Sequence, residues 1–202
     1  MTTFLLIRHA HHDLVGKAIA GRLAGTCLSS EGQRGAESLA ERLVTVPIAS
    51  IYSSPLERAQ ATAAIIARRL SLNVCICEQF NEIDFGEWQG RAFDDLDDDP
   101  QWMRFNIFRS GTCPPRGEPL LQVQARMVAA LDDLRARFPN EVVAVVGHGD
   151  PIKSVIACYA GIPLDLMLRI EISPASISIV SIGDFGPNIL CLNHTGELPR
   201  LA

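Results

Sequence analysis

Short apolar runs of strand length alternate along this chain with longer stretches in which apolar residues recur at helical spacing. Phe4 to His9 is such a run; it ends in polar residues and predicts a buried strand. Val142 to Val146 is the most apolar β-branched run of the chain and predicts another. The pattern also predicts strands over residues 48–52, 73–77, 176–182 and 189–193, and helices over residues 29–43, 54–70 and 120–138.

Several predicted helices begin at residues that stabilise a free helix N-terminus. Ser29 is suited to cap the first helix. Ser54-Pro55-Leu56-Glu57 combines a capping box, in which Glu follows Ser by three residues, with proline at the first helical position. Asp150-Pro151 supplies a cap and a first-turn proline for a helix after the Val142–Val146 strand.

The alternation fails between Phe80 and Pro119, where aromatic residues are interspersed with turn residues and an acidic patch at residues 94–99. This pattern predicts a lid-like excursion of short helices and loops at about residues 83–119, which we call the lid. We expect its aromatic residues to form a small core and its acidic patch to be a solvated face. The aromatic residues are Phe85, Trp88, Phe93, Trp102, Phe105 and Phe108.

Alternating strands and helices of this kind predict an α/β fold, a three-layer αβα sandwich with a mostly parallel central sheet. The length of 202 residues fits one domain over residues 1–202, with the lid as its excursion. Such sheets bind ligands at the carboxyl ends of their strands. Candidate functional residues are therefore expected at those ends.

Charge and hydropathy exclude several classes of partner. The chain carries 18 Lys and Arg against 23 Asp and Glu, a formal net charge of −5, which argues against a broad nucleic-acid face. The N-terminal apolar stretch is interrupted at Arg8 and is not a secretory signal, and the later stretch Val155 to Leu168 is broken by polar and turn residues. We therefore expect no membrane partner and a cytoplasmic protein.

Cysteine usage is consistent with that location. In a chain of this size without a signal, six cysteines are expected to be reduced and mostly buried thiols. Cys75-x-Cys77 does not have the spacing of a zinc knuckle. The six are Cys27, Cys75, Cys77, Cys113, Cys158 and Cys191.

Four residues suited to binding an anion lie at predicted strand ends. Arg8 and His9 close the first strand, Arg58 lies in the first turn of the helix after the second, and His148 lies between residues 142–146 and the next helix. A phosphoryl group fits this set, because guanidinium groups clamp its oxygens in pairs while an uncharged imidazole attacks in line. The departing alkoxide then needs a proton, and Glu82, with apolar neighbours that raise a carboxyl pKa, is suited to supply it.

Four motifs in order resemble the signature of the histidine phosphatase superfamily, in its phosphoglycerate-mutase-like branch. The resemblance implies that His9 is the phosphorylated nucleophile, and that Glu82 acts as general acid and then as base for water. It further implies that Arg8, Arg58 and His148 bind the phosphoryl group, in an enzyme that uses no metal or other cofactor. The motifs are Arg8-His9-Ala10, residues 53–62, residues 81–90 and Gly147-His148-Gly149.

The same resemblance suggests further binding residues. Arg22 lies in a segment, residues 21–32, that is similar to the family's substrate loop, and His12 occupies a position that often lends a hydroxyl to the phosphate. Gly149 is expected to contact the phosphate from the last motif. Of four lid arginines, Arg116 is the first choice for a substrate contact because it lies in a turn rich in proline and glycine, ahead of Arg91, Arg104 and Arg109.

Two departures from the family pattern concern substrate preference. Ala10 replaces the usual glycine after the nucleophile, which is harmless where φ is negative. Asp150 follows Gly149 and would repel a phosphate, unless it caps its own helix and turns away.

Three other functions fit parts of the sequence. His9-x-His11-His12-Asp13 partly matches a zinc-ligand run of metallohydrolases, but Leu14 stands at its last position and only His148 and His194 remain to complete it. A silent phosphate-binding module of the same fold needs neither a nucleophile nor a leaving-group acid. Phosphoglycerate-mutase-type transfer requires a basic enclosure that excludes water.

The lid decides between mutase and phosphatase. It is modest in size, and the five aspartates of its acidic patch outnumber its four arginines, so water is expected to reach a phosphorylated His9. We therefore predict a metal-independent phosphatase of small-molecule phosphate monoesters. The tail strand over residues 189–193 is either an edge that pairs in a homodimer or one blunted by Pro187.

Overall fold

The computed structural model describes residues 1–196. Six strands form one sheet in the order β3-β2-β4-β1-β5-β6. Strands β1 to β4 pair in parallel, whereas β5 runs antiparallel to β1, and β6 antiparallel to β5. The sheet is therefore mostly parallel, as predicted. The strands are β1 (Thr2–Arg8), β2 (Ile48–Ser53), β3 (Val74–Ile76), β4 (Val142–Gly147), β5 (Ile177–Gly183) and β6 (Gly186–His194).

Helices cover both faces of the sheet. Side chains alternate along β1, so that Phe4 and Leu6 pack in one core cluster and Leu5 and Ile7 in the other. Both faces of the strand are thus buried, which gives the three layers of the predicted sandwich. The helices are α1 (Ser30–Arg42), α2 (Glu57–Leu70), α3 (Pro100–Ile107), α4 (Leu120–Arg137) and α5 (Gly149–Ala160), with 3-10 turns at Glu78–Phe80, Gly86–Trp88 and Leu164–Arg169.

The lid contains α3 and a small aromatic core. Asp99 caps α3 by accepting hydrogen bonds from the backbone N–H groups of Gln101 and Trp102. Phe105 is fully buried, and its ring centroid lies 5.4 Å from that of Trp88. The predicted lid core is present, except that Phe108 is 43% exposed.

Two predictions about the capping residues are wrong. Helix α2 begins at Glu57 with Leu56 at the N-cap and no side-chain cap, because Ser54 lies on the continuation of β2 and its backbone N–H donates to Val146 O at 2.9 Å. Helix α5 begins at Gly149, with His148 at the N-cap, so Asp150 lies inside the first turn rather than at the cap.

The cysteines also differ from expectation. Four of the six are exposed and two are partly buried, so the prediction of mostly buried thiols is wrong. All six are free thiols. Among the helices of residues 1–196, none combines the length and the hydropathy needed to cross a lipid bilayer.

Candidate active site

The pairing of β1 with β4 brings two histidines together. Arg8 is in register with Gly147, and the backbone N–H of His9 donates to Gly147 O at 2.9 Å. The residues that follow the two strands therefore lie side by side, and the ring centroids of His9 and His148 are 5.2 Å apart. This is the arrangement expected where parallel strands end at one edge of a sheet.

Two guanidinium groups, of the buried Arg58 and the partly buried Arg8, flank this pair. Arg58 is 1% exposed and donates from Nη2 to Gly21 O at 2.7 Å, and Arg8 donates from Nη1 to Ile172 O at 2.6 Å. Within residues 1–196, Nε and Nη1 of Arg58 and Nε of Arg8 are buried without a hydrogen-bond partner. Because buried polar groups are normally paired, these N–H groups indicate a site for an anion.

Thr62, one turn after Arg58, ties this arrangement to β1. Its hydroxyl donates to Arg58 O at 2.8 Å and accepts from the backbone N–H of Ala10 at 3.0 Å. Ala10 does not adopt a positive φ, so the alanine that replaces glycine here is unstrained.

His9 is arranged as an uncharged nucleophile. Its Nδ1–H donates to Ala10 O at 2.8 Å, which leaves the lone pair on Nε2. Burial, and then the charge of Arg58, holds the pKa of His9 well below its usual value. The imidazole is therefore neutral, and a nitrogen is available to attack phosphorus.

Glu82 is arranged as an acid. Its Oε1 accepts from the backbone N–H of Ile83 at 2.9 Å, and its Oε2 lies 3.8 Å from Nδ1 of His148. Burial, and then the negative charge of Asp150, raises the pKa of Glu82 to about 7. A carboxyl group with this pKa can both donate and accept a proton near neutral pH.

His148 is buried beside His9 and Glu82. The residue is fully buried, and its Nε2 is 2.7 Å from Ser54 Oγ. Burial, and then the charge of Arg58, holds the pKa of His148 well below its usual value. His148 is therefore a neutral imidazole that lies next to both His9 and Glu82.

These groups adjoin a cavity of about 280 Å³. The lid closes one side with Phe85, Phe93 and Trp102, and the start of α5 contributes Gly149 and Lys153. The cavity is therefore cationic at the strand ends and largely aromatic at the lid.

An ion pair links the lid to α5 at the edge of this cavity. Arg109, 3% exposed, donates from Nη1 to Asp150 Oδ2 at 2.6 Å and from Nη2 to Asn106 Oδ1 at 2.9 Å. Burial raises the pKa of Asp150, but the charge of Arg109 and its hydrogen bond outweigh burial and leave the pKa below its usual value. Asp150 is thus a charged carboxylate inside the cavity, not the turned-away cap that was predicted.

The remaining predicted binding residues divide into two groups. His12 and Gly149 line the cavity, and the ring centroid of His12 is 5.0 Å from that of His9. Burial, and then the charge of Arg58, lowers the pKa of His12 to about 4. Arg22 and Arg116 do not line it. Arg22 pairs with Glu118 Oε2 at 2.7 Å, and the exposed Arg116 pairs with Glu87 at 3.0 Å.

Of the four lid arginines, Arg109 is the one that lines the cavity. Arg109, not Arg116, reaches the cavity, because α3 packs its C-terminal end over the site whereas the turn at Arg116 faces solvent. Ser54 and Asp150 are further site residues that sequence reasoning assigned to helix caps. Only their positions after predicted strands signalled a place near the site.

The histidine run at residues 9–13 does not converge on one point. His11 turns away from the cavity, with its Nδ1 at 3.0 Å from Ser29 Oγ and 3.9 Å from Glu31 Oε2. Over residues 1–196 the structure contains no group of three or more His, Cys, Asp or Glu side chains placed to hold a metal ion. The geometry does not match the ligand set of the metallohydrolase alternative.

Comparison with known proteins identifies the family. A family model described as histidine phosphatase superfamily (branch 1) matches residues 4–195. The chain belongs to this superfamily, and the resemblance of its four motifs is confirmed.

The relatives differ in how much of their own length this chain covers. Bifunctional protein Rv2228c of Mycobacterium tuberculosis is 30% identical over 98% of this chain, which spans only 55% of that protein. Phosphoserine phosphatase 1 of Hydrogenobacter thermophilus is 30% identical over 98% of this chain and 96% of that protein. The solved structure of Bacillus stearothermophilus YhfR matches with a TM-score of 0.89 at 27% identity, over 96% of this chain and 97% of that one. The predicted fold class is confirmed.

Proposed function

We propose that the protein hydrolyses small-molecule phosphate monoesters through a phosphohistidine at His9, without a metal ion. The observation that carries the proposal is the neutral, buried His9, whose free Nε2 lies among unpaired guanidinium N–H groups of Arg8 and Arg58. A phosphate-binding site alone requires cations but no uncharged nucleophile beside them.

The reaction proceeds in two phosphoryl transfers. In the first, Nε2 of His9 attacks phosphorus in line and the P–O ester bond breaks, while protonated Glu82 gives its proton to the leaving alkoxide. In the second, the Glu82 carboxylate takes a proton from water, the water oxygen attacks phosphorus, and the P–N bond breaks to release phosphate and neutral His9. Arg8 and Arg58 stabilise the equatorial oxygens in both steps.

The cavity supports hydrolysis over mutase-type transfer. A mutase must hold a second phosphate group away from the nucleophile. Of the cations that line the cavity beyond the strand ends, Arg109 is neutralised by Asp150, which leaves Lys153. The rest of the lid wall is largely aromatic, so a doubly phosphorylated intermediate has little to bind there.

The nucleophile is tested by trapping the intermediate. With a radioactive phosphate ester and a rapid quench, we expect acid-labile label on the wild-type protein and on His11→Ala, whose side chain faces away from the cavity, but none on His9→Ala. O-phosphoserine, the substrate named for the Hydrogenobacter thermophilus relative, is the first ester to use. Binding of phosphate without label or turnover would instead support the silent module.

Metal independence is tested on the same protein. Turnover of p-nitrophenyl phosphate should be unchanged after dialysis against a chelator and after addition of zinc. Loss of activity in the chelator and its return with zinc would contradict the proposal.

A further inference from the structure

The hydrogen bond between Ser54 and His148 determines which nitrogen of His148 carries its proton. A neutral imidazole has one N–H and one lone pair. Nε2 of His148 is 2.7 Å from Ser54 Oγ, whereas Nδ1 is buried without a partner in residues 1–196 and lies 3.8 Å from Glu82 Oε2. If Nε2 accepts a hydrogen bond from Ser54, the proton of the neutral imidazole must be on Nδ1, the nitrogen that lies toward Glu82.

The surroundings of Ser54 favour its hydroxyl as the donor. Its Oγ already accepts the backbone N–H of Leu56 at 3.3 Å, so one lone pair is used and the proton is free to be given. Ser54 and His148 are both fully buried, and Nε2 of His148 is the acceptor within reach of this hydroxyl in the described chain.

We propose that Ser54 is a positioning residue, whose hydroxyl donates to Nε2 of His148 and holds the neutral imidazole in the form that carries its proton on Nδ1. This inference rests on the proposed function, since the Nδ1–H then faces the phosphoryl group on His9 beside Glu82. In the opposite tautomer, a lone pair on Nδ1 would face the phosphoryl oxygens and repel them. The direction of one hydrogen bond therefore decides whether His148 attracts or repels the substrate.

The position of Ser54 in the fold accounts for its contact with His148 in place of a role as a helix cap. Helix α2 takes no cap from Ser54, and the backbone N–H of Ser54 extends the pairing of β2 onto β4. Since β4 leads directly into His148, this pairing holds the hydroxyl beside the imidazole. Ser54, which stands at the first position of a capping-box sequence, therefore binds His148 at the end of the neighbouring strand and does not cap α2.

The tautomer is measured directly by nitrogen NMR of the intact protein labelled with ¹⁵N-histidine, with the signal of His148 assigned from a His148→Gln variant. At neutral pH we expect Nδ1 protonated and Nε2 unprotonated in the wild type. In Ser54→Ala we expect a mixture of both tautomers. A wild-type His148 protonated on Nε2 would overturn the proposal, whatever the activity of any variant.

Kinetics provide the second measurement, with Ser53→Ala as the matched control. Ser53 is equally buried and adjacent, but its hydroxyl donates to Ser54 O at 2.9 Å and not to the histidine. We expect Ser54→Ala to lower kcat/KM by about 10- to 100-fold, by analogy with the loss of a hydrogen-bond partner that orients a metal-ligating histidine. Ser53→Ala should retain wild-type turnover and the wild-type His148 spectrum.

The outcomes separate this inference from the proposed function. Equal losses in both variants with an unchanged His148 spectrum would mean that Ser54 is structural only and would overturn the inference. A phosphohistidine that never forms, with His148 still protonated on Nδ1, would contradict the proposed function and leave the tautomer assignment supported.

Discussion

Burial moves the pKa values of His9 and Glu82 in opposite directions, and both changes suit the proposed reaction. Burial disfavours the charged form of each group, so it lowers the pKa of His9 and raises that of Glu82 to about 7. At one pH, His9 can therefore be uncharged while Glu82 still holds a proton, as the proposed nucleophile and acid require. One physical cause therefore produces two complementary roles.

The acid role of Glu82 is tested by its leaving-group dependence. Glu82→Gln keeps an acceptor for the backbone N–H of Ile83 but has no proton to transfer. We expect turnover of an alkyl phosphate to fall by about 10²–10⁴-fold. Turnover of p-nitrophenyl phosphate, whose leaving group departs as a stable anion, should fall much less in the same steady-state assay. Equal losses on both esters would remove Glu82 from this role.

Asp150 contributes to the proton affinity of Glu82. Its negative charge is the second cause, after burial, that raises the pKa of Glu82 to about 7. Asp150→Asn removes that charge, so the pKa of Glu82 should fall and the protonated form should be lost at lower pH. We expect the alkaline limb of kcat against pH for an alkyl phosphate to shift to lower pH.

A substitution at Asp165, which lies in the 3-10 turn Leu164–Arg169 and binds the lid, is the control for this shift. Asp165 binds Ser110 in the lid through both carboxylate oxygens but does not line the cavity. Asp165→Asn should leave the alkaline limb where it is in the wild type. A limb that does not move in Asp150→Asn, or moves to higher pH, would show that Asp150 does not act on Glu82.

The sequence pattern locates the site residues that follow strands, but it does not choose among the arginines of the lid. Arg8, His9 and His148 follow apolar runs, so the sheet edge brings them together without further information. Arg109 and Arg116 both lie in the lid, where apolar periodicity is absent. In the folded chain, Arg109 packs over the ring of Phe105 at 4.6 Å and pairs with Asp150, and these tertiary contacts place it at the cavity.

At the scale of elements, the start of α1 holds the loop that carries His9 and His12. The backbone N–H of Ser29 donates to His11 O at 3.0 Å, and a Cβ on Gly32 would collide with that same carbonyl. Helix α1 thus packs directly against the backbone of this loop. Glycine is required at this position by close approach.

Gly32→Ala therefore tests the contact between α1 and this loop. The added methyl meets a backbone carbonyl that cannot move aside, so we expect a loss of about 1–3 kcal/mol in the free energy of unfolding. A lower kcat should accompany it as His9 shifts. Gly35→Ala is the control in the same helix, because its Cβ would meet only Ala175 Cβ at 3.9 Å.

The control should behave in the opposite sense. Alanine is favoured over glycine within a helix, so Gly35→Ala should gain about 0.5–1 kcal/mol. Urea denaturation measures both variants. Equal stability of Gly32→Ala and the wild type would show that α1 does not press on the loop.

Element boundaries were predictable where local chemistry governed them. Ser29 caps α1 as expected, accepting from the N–H of Gly32 at 3.1 Å. Ser54 has the same local signature, yet the strand pairing of β2 with β4 places it beside His148 instead. A tertiary contact overrides the local preference there, and no pattern within the segment reveals it.

At the scale of the whole molecule, the order of the strands lay beyond the sequence pattern. Each strand was predicted, but β1 pairs with β4, whose residues lie more than a hundred positions away, and Phe4 is opposite Val143. Hydrophobic periodicity shows which face of a strand is buried, but it does not show which strands lie next to it in the sheet. The site depends on this order, because β1 and β4 end beside each other only when they are adjacent.

The free energy of unfolding should depend on pH, because groups at the cavity have pKa values that are shifted in opposite directions on folding. Burial, and then Arg58, lowers the pKa of His9, His12 and His148 below the ordinary 6.5. The unfolded chain therefore binds their protons where the native protein does not, and acidification below pH 6.5 favours unfolding. Glu82 acts oppositely, because its pKa rises from 4.5 to about 7 and the native protein holds the extra proton.

The three histidines outweigh the one carboxyl group between these values. We expect the free energy of unfolding to decrease as pH falls from 6.5 toward 4.5, with each proton contributing up to about 1.4 kcal/mol per pH unit. Urea midpoints measured across this interval test the sign. Glu82→Gln removes the opposing group and should steepen the decrease, whereas His148→Gln removes one of the three and should flatten it. Stability that rises on acidification would mean that these histidines are already protonated in the native protein, which is incompatible with an uncharged nucleophile at His9.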